Sequence, residues 1–262
     1  MDLGLKGKSA FVAAGSKGLG RATALELAKE GANVTIASRS AEHLSEAKRA
    51  IGEATGAEVA TAVMDASKEE EIRRAIEEAA ERFGGLDVLI CNAGGPPGGR
   101  FDEMTDEDWQ KAFELNLLST IRMIREALPH MRKAGGGRIV NLTSTSIKQP
   151  IDGLILSNVL RAGVNALTKT LATELAPDGI LINTVAPGRI LTDRIRELDE
   201  GRARKTGQSA EEIRADNEKQ IPLGRLGQPD EFGRIAAFYA SFANTYATGQ
   251  AILVDGGSVK AL

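Results

Sequence analysis

Seven short apolar, β-branched runs recur along the chain, separated by longer amphipathic stretches. No other feature constrains the fold as strongly. Parallel strands need crossovers, and a crossover helix must bury one stripe against the sheet, so the alternation predicts helices on both faces of a parallel sheet. Strands are expected at residues 9–13, 33–38, 58–64, 88–91, 138–142, 181–185 and 251–254. With right-handed crossovers this is a doubly wound α/β fold with a seven-stranded parallel sheet, one domain over residues 1–262. Two helix starts carry a Ser/Thr-x-x-acid box, Ser67 with Glu70 and Thr105 with Asp108, in which the hydroxyl caps a free backbone N–H. Two segments break the rhythm: a Gly-Gly-Pro-Pro-Gly-Gly loop at 94–99, and a polar, Arg/Glu-rich interruption at 193–226. Loops after strand C-termini border the ligand crevice of an open α/β sheet, so both are candidate walls of a site.

Charge and cysteine usage exclude several classes. Thirty-three Lys and Arg nearly balance 36 Asp and Glu, which does not suit a nucleic-acid partner. The single cysteine, Cys91, cannot form an intrachain disulfide and fits a reducing compartment; it is expected as a buried strand residue. The first residues lack the basic-then-apolar layout of a signal peptide, and no apolar run approaches the ~18 residues of a membrane span. The expectation is a cytoplasmic protein with no membrane partner and no metal site.

The first strand runs into Ala13-Ala14-Gly15-Ser16-Lys17-Gly18-Leu19-Gly20-Arg21, and a helix follows. Glycines here let the backbone turn tightly and approach a pyrophosphate seated on the helix N-terminus. Gly15, Ser16, Lys17, Gly18, Leu19 and Gly20 are therefore candidate dinucleotide contacts. The second strand ends in Ser38-Arg39, where a Rossmann site selective for NAD(H) would carry an acidic residue. Two cations, Lys17 and Arg39, with no carboxylate, favour NADP(H) over NAD(H). The alternative is that both are solvated surface charges.

These residues, with others in order along the chain, resemble the short-chain dehydrogenase/reductase family, and its 3-oxoacyl-carrier-protein reductase-like members in particular. The matches include Asp65 after strand three, Asn92-Ala93-Gly94 after strand four, and Asn116 in the following helix. They continue with Ser144 after strand five, Pro187-Gly188 and Thr192 after strand six, and Val254-Asp255-Gly256-Gly257 near the end. The resemblance implies that Asp65 meets the adenine and that Asn92, Ala93 and Gly94 line the adenosine and ribose region. It implies that the turn from Pro187 to Thr192 holds the nicotinamide carboxamide, that Asn116 anchors a proton-relay water, and that Ser144 binds the substrate carbonyl. It also implies a homotetramer or dimer through the helices carrying Asn116 and Ser157 and through the last strand.

Two departures stand out. The family loop usually begins Thr-Gly, where this chain has Ala13-Ala14, and Gly15 is expected to share the turn's conformational demands, since it tolerates φ > 0 where Ala does not. The family's Tyr-x-x-x-Lys, thirteen residues after the serine, reads here as Ser157-Asn158-Val159-Leu160-Arg161. A phenol beside an ammonium can deliver a proton near neutral pH; an alkyl hydroxyl cannot, and arginine holds its proton. Arg161 could still hold the nicotinamide ribose and stabilise an oxyanion. Tyr239 and Tyr246 belong to the last helix and the approach to the last strand, and neither His43 nor His130 falls near the crevice. Lys148, four residues beyond Ser144, is a candidate donor if desolvated, against the alternative of an ordinary loop cation. The 193–226 stretch resembles a mobile substrate lid; Arg189, Arg194 and Arg196 in and beside it could grip an acidic substrate, or simply form a solvated, ion-paired face.

The sequence thus reads as an NADP(H)-dependent oxidoreductase interconverting a carbonyl and a hydroxyl, a 3-oxoacyl compound being one candidate substrate, with an atypical proton donor. Ser144 and Asn116 have no use in cofactor binding alone. Two other readings stay open: a catalytically silent nucleotide-binding homologue, and a non-redox dehydratase or isomerase with Arg161 as oxyanion clamp.

Overall fold

The computed structural model describes residues 1–261. Seven parallel strands form one sheet in the order β3-β2-β1-β4-β5-β6-β7: β1 (Ser9–Ala13), β2 (Asn33–Ser38), β3 (Val59–Val63), β4 (Val88–Cys91), β5 (Gly137–Leu142), β6 (Ile180–Pro187) and β7 (Ala251–Val254). The expected seven strands are all present; β6 runs longer than expected at both ends. Helices α1 (Gly18–Lys29), α2 (Ala41–Thr55), α3 (Glu69–Phe83), α4 (Asp106–Phe113), α5 (Ser119–Lys133) and α6 (Ile155–Glu174) intervene between strands. Three more, α7 (Asp193–Thr206), α8 (Ala210–Lys219) and α9 (Pro229–Tyr239), lie between β6 and β7.

Period-two alternation in the strands divides the core into two layers. Ala10 and Val12 of β1, with Val88 and Ile90 of β4, face a cluster built with Leu27 of α1, Leu44 of α2 and Phe232 of α9. Phe11 and Ala13, with Leu89 and Cys91, face the opposite cluster with Ile76 of α3 and Met123 of α5. Both faces are covered, so the central strands are apolar on both sides, as parallel sheets require. Burial pushes the Cys91 thiol well above its ordinary pKa, so it is a packing residue and no nucleophile.

Of the two expected helix boxes, one forms. The Thr105 hydroxyl accepts from Asp108 N at 3.2 Å, and the Asp108 carboxylate accepts from Thr105 N at 3.0 Å. Ser67 does not cap α3: its hydroxyl donates to Asp65 at 2.8 Å, and Lys68 becomes the residue preceding the helix. The helix start is served instead by three consecutive glutamates, Glu69 to Glu71, in its positively polarised first turn. The polar interruption folds into α7 and α8. The buried Asp199 of α7 accepts from Arg189, just after β6, at 2.8 Å and from Asn217 of α8 at 3.1 Å, tying both helices to the sheet edge.

The helix carrying the first glycine-rich turn is held by a close backbone approach. A Cβ on Gly233 of α9 would lie 2.8 Å from the Ala22 carbonyl oxygen of α1 and 3.2 Å from Glu26 Cγ. Gly233→Ala should therefore destabilise the fold by about 1–3 kcal/mol despite alanine's better helix propensity. Chemical denaturation checks this; a stabilised variant would show that α9 can retreat freely from α1.

Candidate active site

The strand order reverses between β1 and β4, and the loops leaving the C-terminal ends of those strands part there to form a crevice. On one side lies the glycine-rich turn. Gly15 fits because a Cβ there would stand 2.9 Å from Ile36 Cβ, and Gly20 because one would stand 2.8 Å from Asn92 Nδ2. Gly18 carries φ +54 and packs near Thr192. The expectation for the start of the turn is corrected: Ala14 itself takes the left-handed conformation, with φ 47, and Gly15 does not. Gly15 is required by its neighbours, which leaves the turn's reversal to an alanine.

The N-terminus of α1 is open. Lys17 precedes it without a side-chain cap, and its first turn contains no acidic residue, so its N–H groups and dipole are available to an anion. A cavity of about 480 Å³ opens beside it, lined in part by Gly18, Arg21, Leu191 and Thr192. At the end of β2 the Ser38 hydroxyl is buried with no partner among the described residues, and Arg39 and Lys17 are exposed. Asp65 stands at the end of β3. Burial raises its carboxyl, but the Ser67 N–H and hydroxyl, together with Arg39 and Lys68, outweigh that and hold it below the ordinary aspartate range. Asn92 links the β4 loop to the turn through a long contact to the Ala14 carbonyl at 3.5 Å. Gly188, after Pro187, lies so near Asp255 that a Cβ would stand 2.6 Å from the aspartate Cβ.

On the other side, Ser144 follows β5, is half-buried, and accepts from Ser146 N at 3.2 Å. Asn116 is 1 % exposed, within a π-helical turn (Glu114–Leu118) joining α4 to α5. Such turns interrupt the regular ladder and often mark functional positions. Its Nδ2 donates to the Ala112 carbonyl at 3.2 Å, while its Oδ1 is buried without a partner. Ser157 and Arg161 lie one turn apart on α6, Ser157 half-buried and Arg161 7 % exposed. The Arg161 guanidinium donates to the Leu142 carbonyl at 2.9 Å and the Ala93 carbonyl at 3.3 Å, bridging the ends of β5 and β4. Burial, then the charge of Arg194, pushes its pKa down to about 10, which still leaves it charged at neutral pH.

Lys148 lies beyond Ser144 on the same loop. It is exposed at the end of the short turn after Ser144. Tyr239 packs on the α9 side of the core and Tyr246 is 98 % exposed, so neither supplies a phenol here. Arg189 and Arg196 are taken up by Asp199 and Asp193, at 2.8 and 3.0 Å. Arg194 instead donates to the Pro96 carbonyl at 2.8 Å, a link between α7 and the 94–99 loop that the sequence did not reveal. The glycine pair in that loop was its only visible trace: the Arg194 guanidinium lies against Gly95, where a Cβ would meet it at 3.3 Å.

The family described as enoyl-(acyl carrier protein) reductase matches residues 13–259. The chain is 35 % identical over 257 residues to the 3-oxoacyl-[acyl-carrier-protein] reductase of Aquifex aeolicus, covering 98 % of this chain and 99 % of the relative. This chain is a short-chain dehydrogenase/reductase. L-sorbose reductase from Gluconobacter frateurii, solved with NADPH and L-sorbose, superposes with a TM-score of 0.95 at 33 % identity over 100 % of both chains. The actinorhodin polyketide ketoreductase, solved with NADPH, gives 0.92 at 33 % identity over 96 % of this chain and 97 % of its own. Among the described residues no helix is long and apolar enough to cross a membrane.

The left-handed Ala14 carries a cost that glycine would not. In this short-chain dehydrogenase/reductase Ala14→Gly should raise stability by about 0.5–1 kcal/mol, the ~1–2 kcal/mol of left-handed strain partly offset by glycine's unfolded-state entropy. Urea denaturation measures it; a loss of stability would mean that the methyl group's packing outweighs the strain.

Proposed function

We propose that this short-chain oxidoreductase uses NADP(H) to interconvert a carbonyl and a hydroxyl group, with a proton donor other than tyrosine. The observation that carries this reading is that one sheet edge presents both halves of such a site. At one end lie the uncapped α1 N-terminus, Lys17 and Arg39; at the other lie Ser144 and the buried Arg161.

The residues fit the cofactor. The open N–H groups of Gly18, Leu19 and Gly20 suit a diphosphate, with Ser16 and Gly15 shaping the turn beneath it. Lys17, Ser38 and Arg39 suit a 2′-phosphate, and Asp65 an adenine. Asn92, Ala93 and Gly94 would line the adenosine side, and Pro187, Gly188 and Thr192 the nicotinamide side. When bound, NADPH supplies the two electrons that reduce a carbonyl carbon. Ser144 would hold the carbonyl oxygen by a hydrogen bond, and the fixed charge of Arg161 would stabilise the negative charge developing there. The buried, unpartnered Oδ1 of Asn116 would hold a water, and the proton would arrive along such a relay, with the Ser157 hydroxyl one turn from Arg161 on α6. Helices α7 and α8 would act as the substrate lid of the single domain. NADPH in the L-sorbose reductase and actinorhodin ketoreductase structures supports the cofactor assignment. The 3-oxoacyl reductases among the relatives support a carbonyl substrate of that kind, and association of two or four copies belongs to the same reading.

The purified protein should oxidise NADPH with members of a ketone and 3-oxoacyl thioester panel, and Ser144→Ala should lower that rate about 10²-fold or more. Tight NADPH binding without turnover of any carbonyl would overturn the reading. The double variant Ser157→Tyr, Arg161→Lys then discriminates: activity appearing only in that variant identifies the natural chain as silent. Arg39→Ala should weaken NADPH binding about tenfold or more and leave NADH binding unchanged, as measured by fluorescence titration.

A further inference from the structure

Arg161 is a buried cation whose observed partners are neutral. Its two hydrogen bonds go to main-chain carbonyls, and among the described residues no carboxylate stands within 4.0 Å of it. Carbonyl dipoles satisfy N–H groups but do not cancel a net charge taken out of water. The other buried arginine, Arg138, is differently served: besides carbonyl acceptors it has the Phe242 ring face 4.5 Å from its guanidinium carbon.

A second guanidinium grips the same loop. Arg161 holds the Ala93 carbonyl, and Arg194 holds the Pro96 carbonyl three residues on, lying against Gly95 with no side chain between. The nearest acid to Arg194, Glu197, is 3.8 Å away and exposed. Two like charges held on one loop repel unless an anion joins them, as the charge of Arg194 already acts on Arg161, and a carboxylate is the small anion that two guanidinium groups bind best.

We propose that Arg161 and Arg194 form a receptor for a carboxylate on the substrate, so that this site takes small oxo acids and hydroxy acids in preference to neutral carbonyl compounds. The proposal rests on the reductase reading for the location of the reacting carbonyl at Ser144, and extends it by naming the substrate's charged group. Arg194 belongs to α7, so the acid would also bring that helix and the 94–99 loop to bear on one ligand. The cofactor's phosphates are accounted for separately, at the N-terminus of α1 and at the end of β2.

The test uses two matched pairs that differ only by esterification: acetoacetate with methyl acetoacetate, and pyruvate with methyl pyruvate. Protein saturated with NADP⁺ is titrated calorimetrically with each. At least one acid should bind about tenfold or more tightly than its ester. Arg194→Gln should remove that preference without weakening the ester, and added salt should weaken the acid alone. Arg194 is partly exposed on α7, so this variant tests the receptor without disturbing a buried group. Equal binding of acid and ester, a preference that survives Arg194→Gln, or no binding of any of the four compounds would overturn the proposal. Parallel assays of NADPH oxidation separate the two readings. An acid preference with no turnover would sink the reductase and leave the receptor; turnover of esters as readily as acids would do the reverse.

Discussion

Adjacent strands on either side of β1 are reached by crossovers running in opposite directions, and everything at the C-terminal edge depends on that reversal. A single-direction winding would pack the loops after β1 and β4 side by side and leave no crevice. With the order β3-β2-β1-β4-β5-β6-β7, the turn before α1 faces one half of the opening, and the loops after β4 and β5 face the other. Loops as far apart in sequence as residues 14 and 194 border it.

Within the opening, Arg161 serves as a tie as well as a charge. One planar guanidinium spans the carbonyl ends of β4 and β5, a reach that an ammonium on a lysine stem matches only as a single point. The buried arginine therefore fixes the separation of the two loops that carry Ala93 and Ser144. Arg194 repeats the device from the opposite wall. Its bond to Pro96 joins α7 to the same loop, while Asp199, Arg189 and Asn217 pin that helix to the sheet edge. The polar segment after β6 is thus anchored at its base, with Arg194 as its contact across the crevice.

Most of the fold was legible because buried strands and amphipathic helices leave different periods in the sequence, and all seven strands follow from that contrast. The helix starts were less legible, since one hydroxyl has several acceptors: Ser67 serves Asp65 rather than the α3 terminus, a competition that spacing alone does not rank. The site was legible as a set of positions but not as a set of contacts. Composition around residue 161 shows an arginine, yet only the folded chain shows that its partners are carbonyls. Likewise Ala14 was visibly unusual, but that it, and not Gly15, bears the positive φ shows only in the folded chain. The π-helical turn around Asn116 left no trace, because one extra residue in a helix does not disturb its apolar stripe enough to be read.

Where the family resemblance places a tyrosine and a lysine, this chain has Ser157 and Arg161. A phenol held beside an ammonium is a group poised to change charge near neutrality. A hydroxyl beside a guanidinium is not, even with that guanidinium drawn down to about 10. Across the physiological range the Arg161 guanidinium therefore keeps its charge, a permanent cation tied between the ends of β4 and β5.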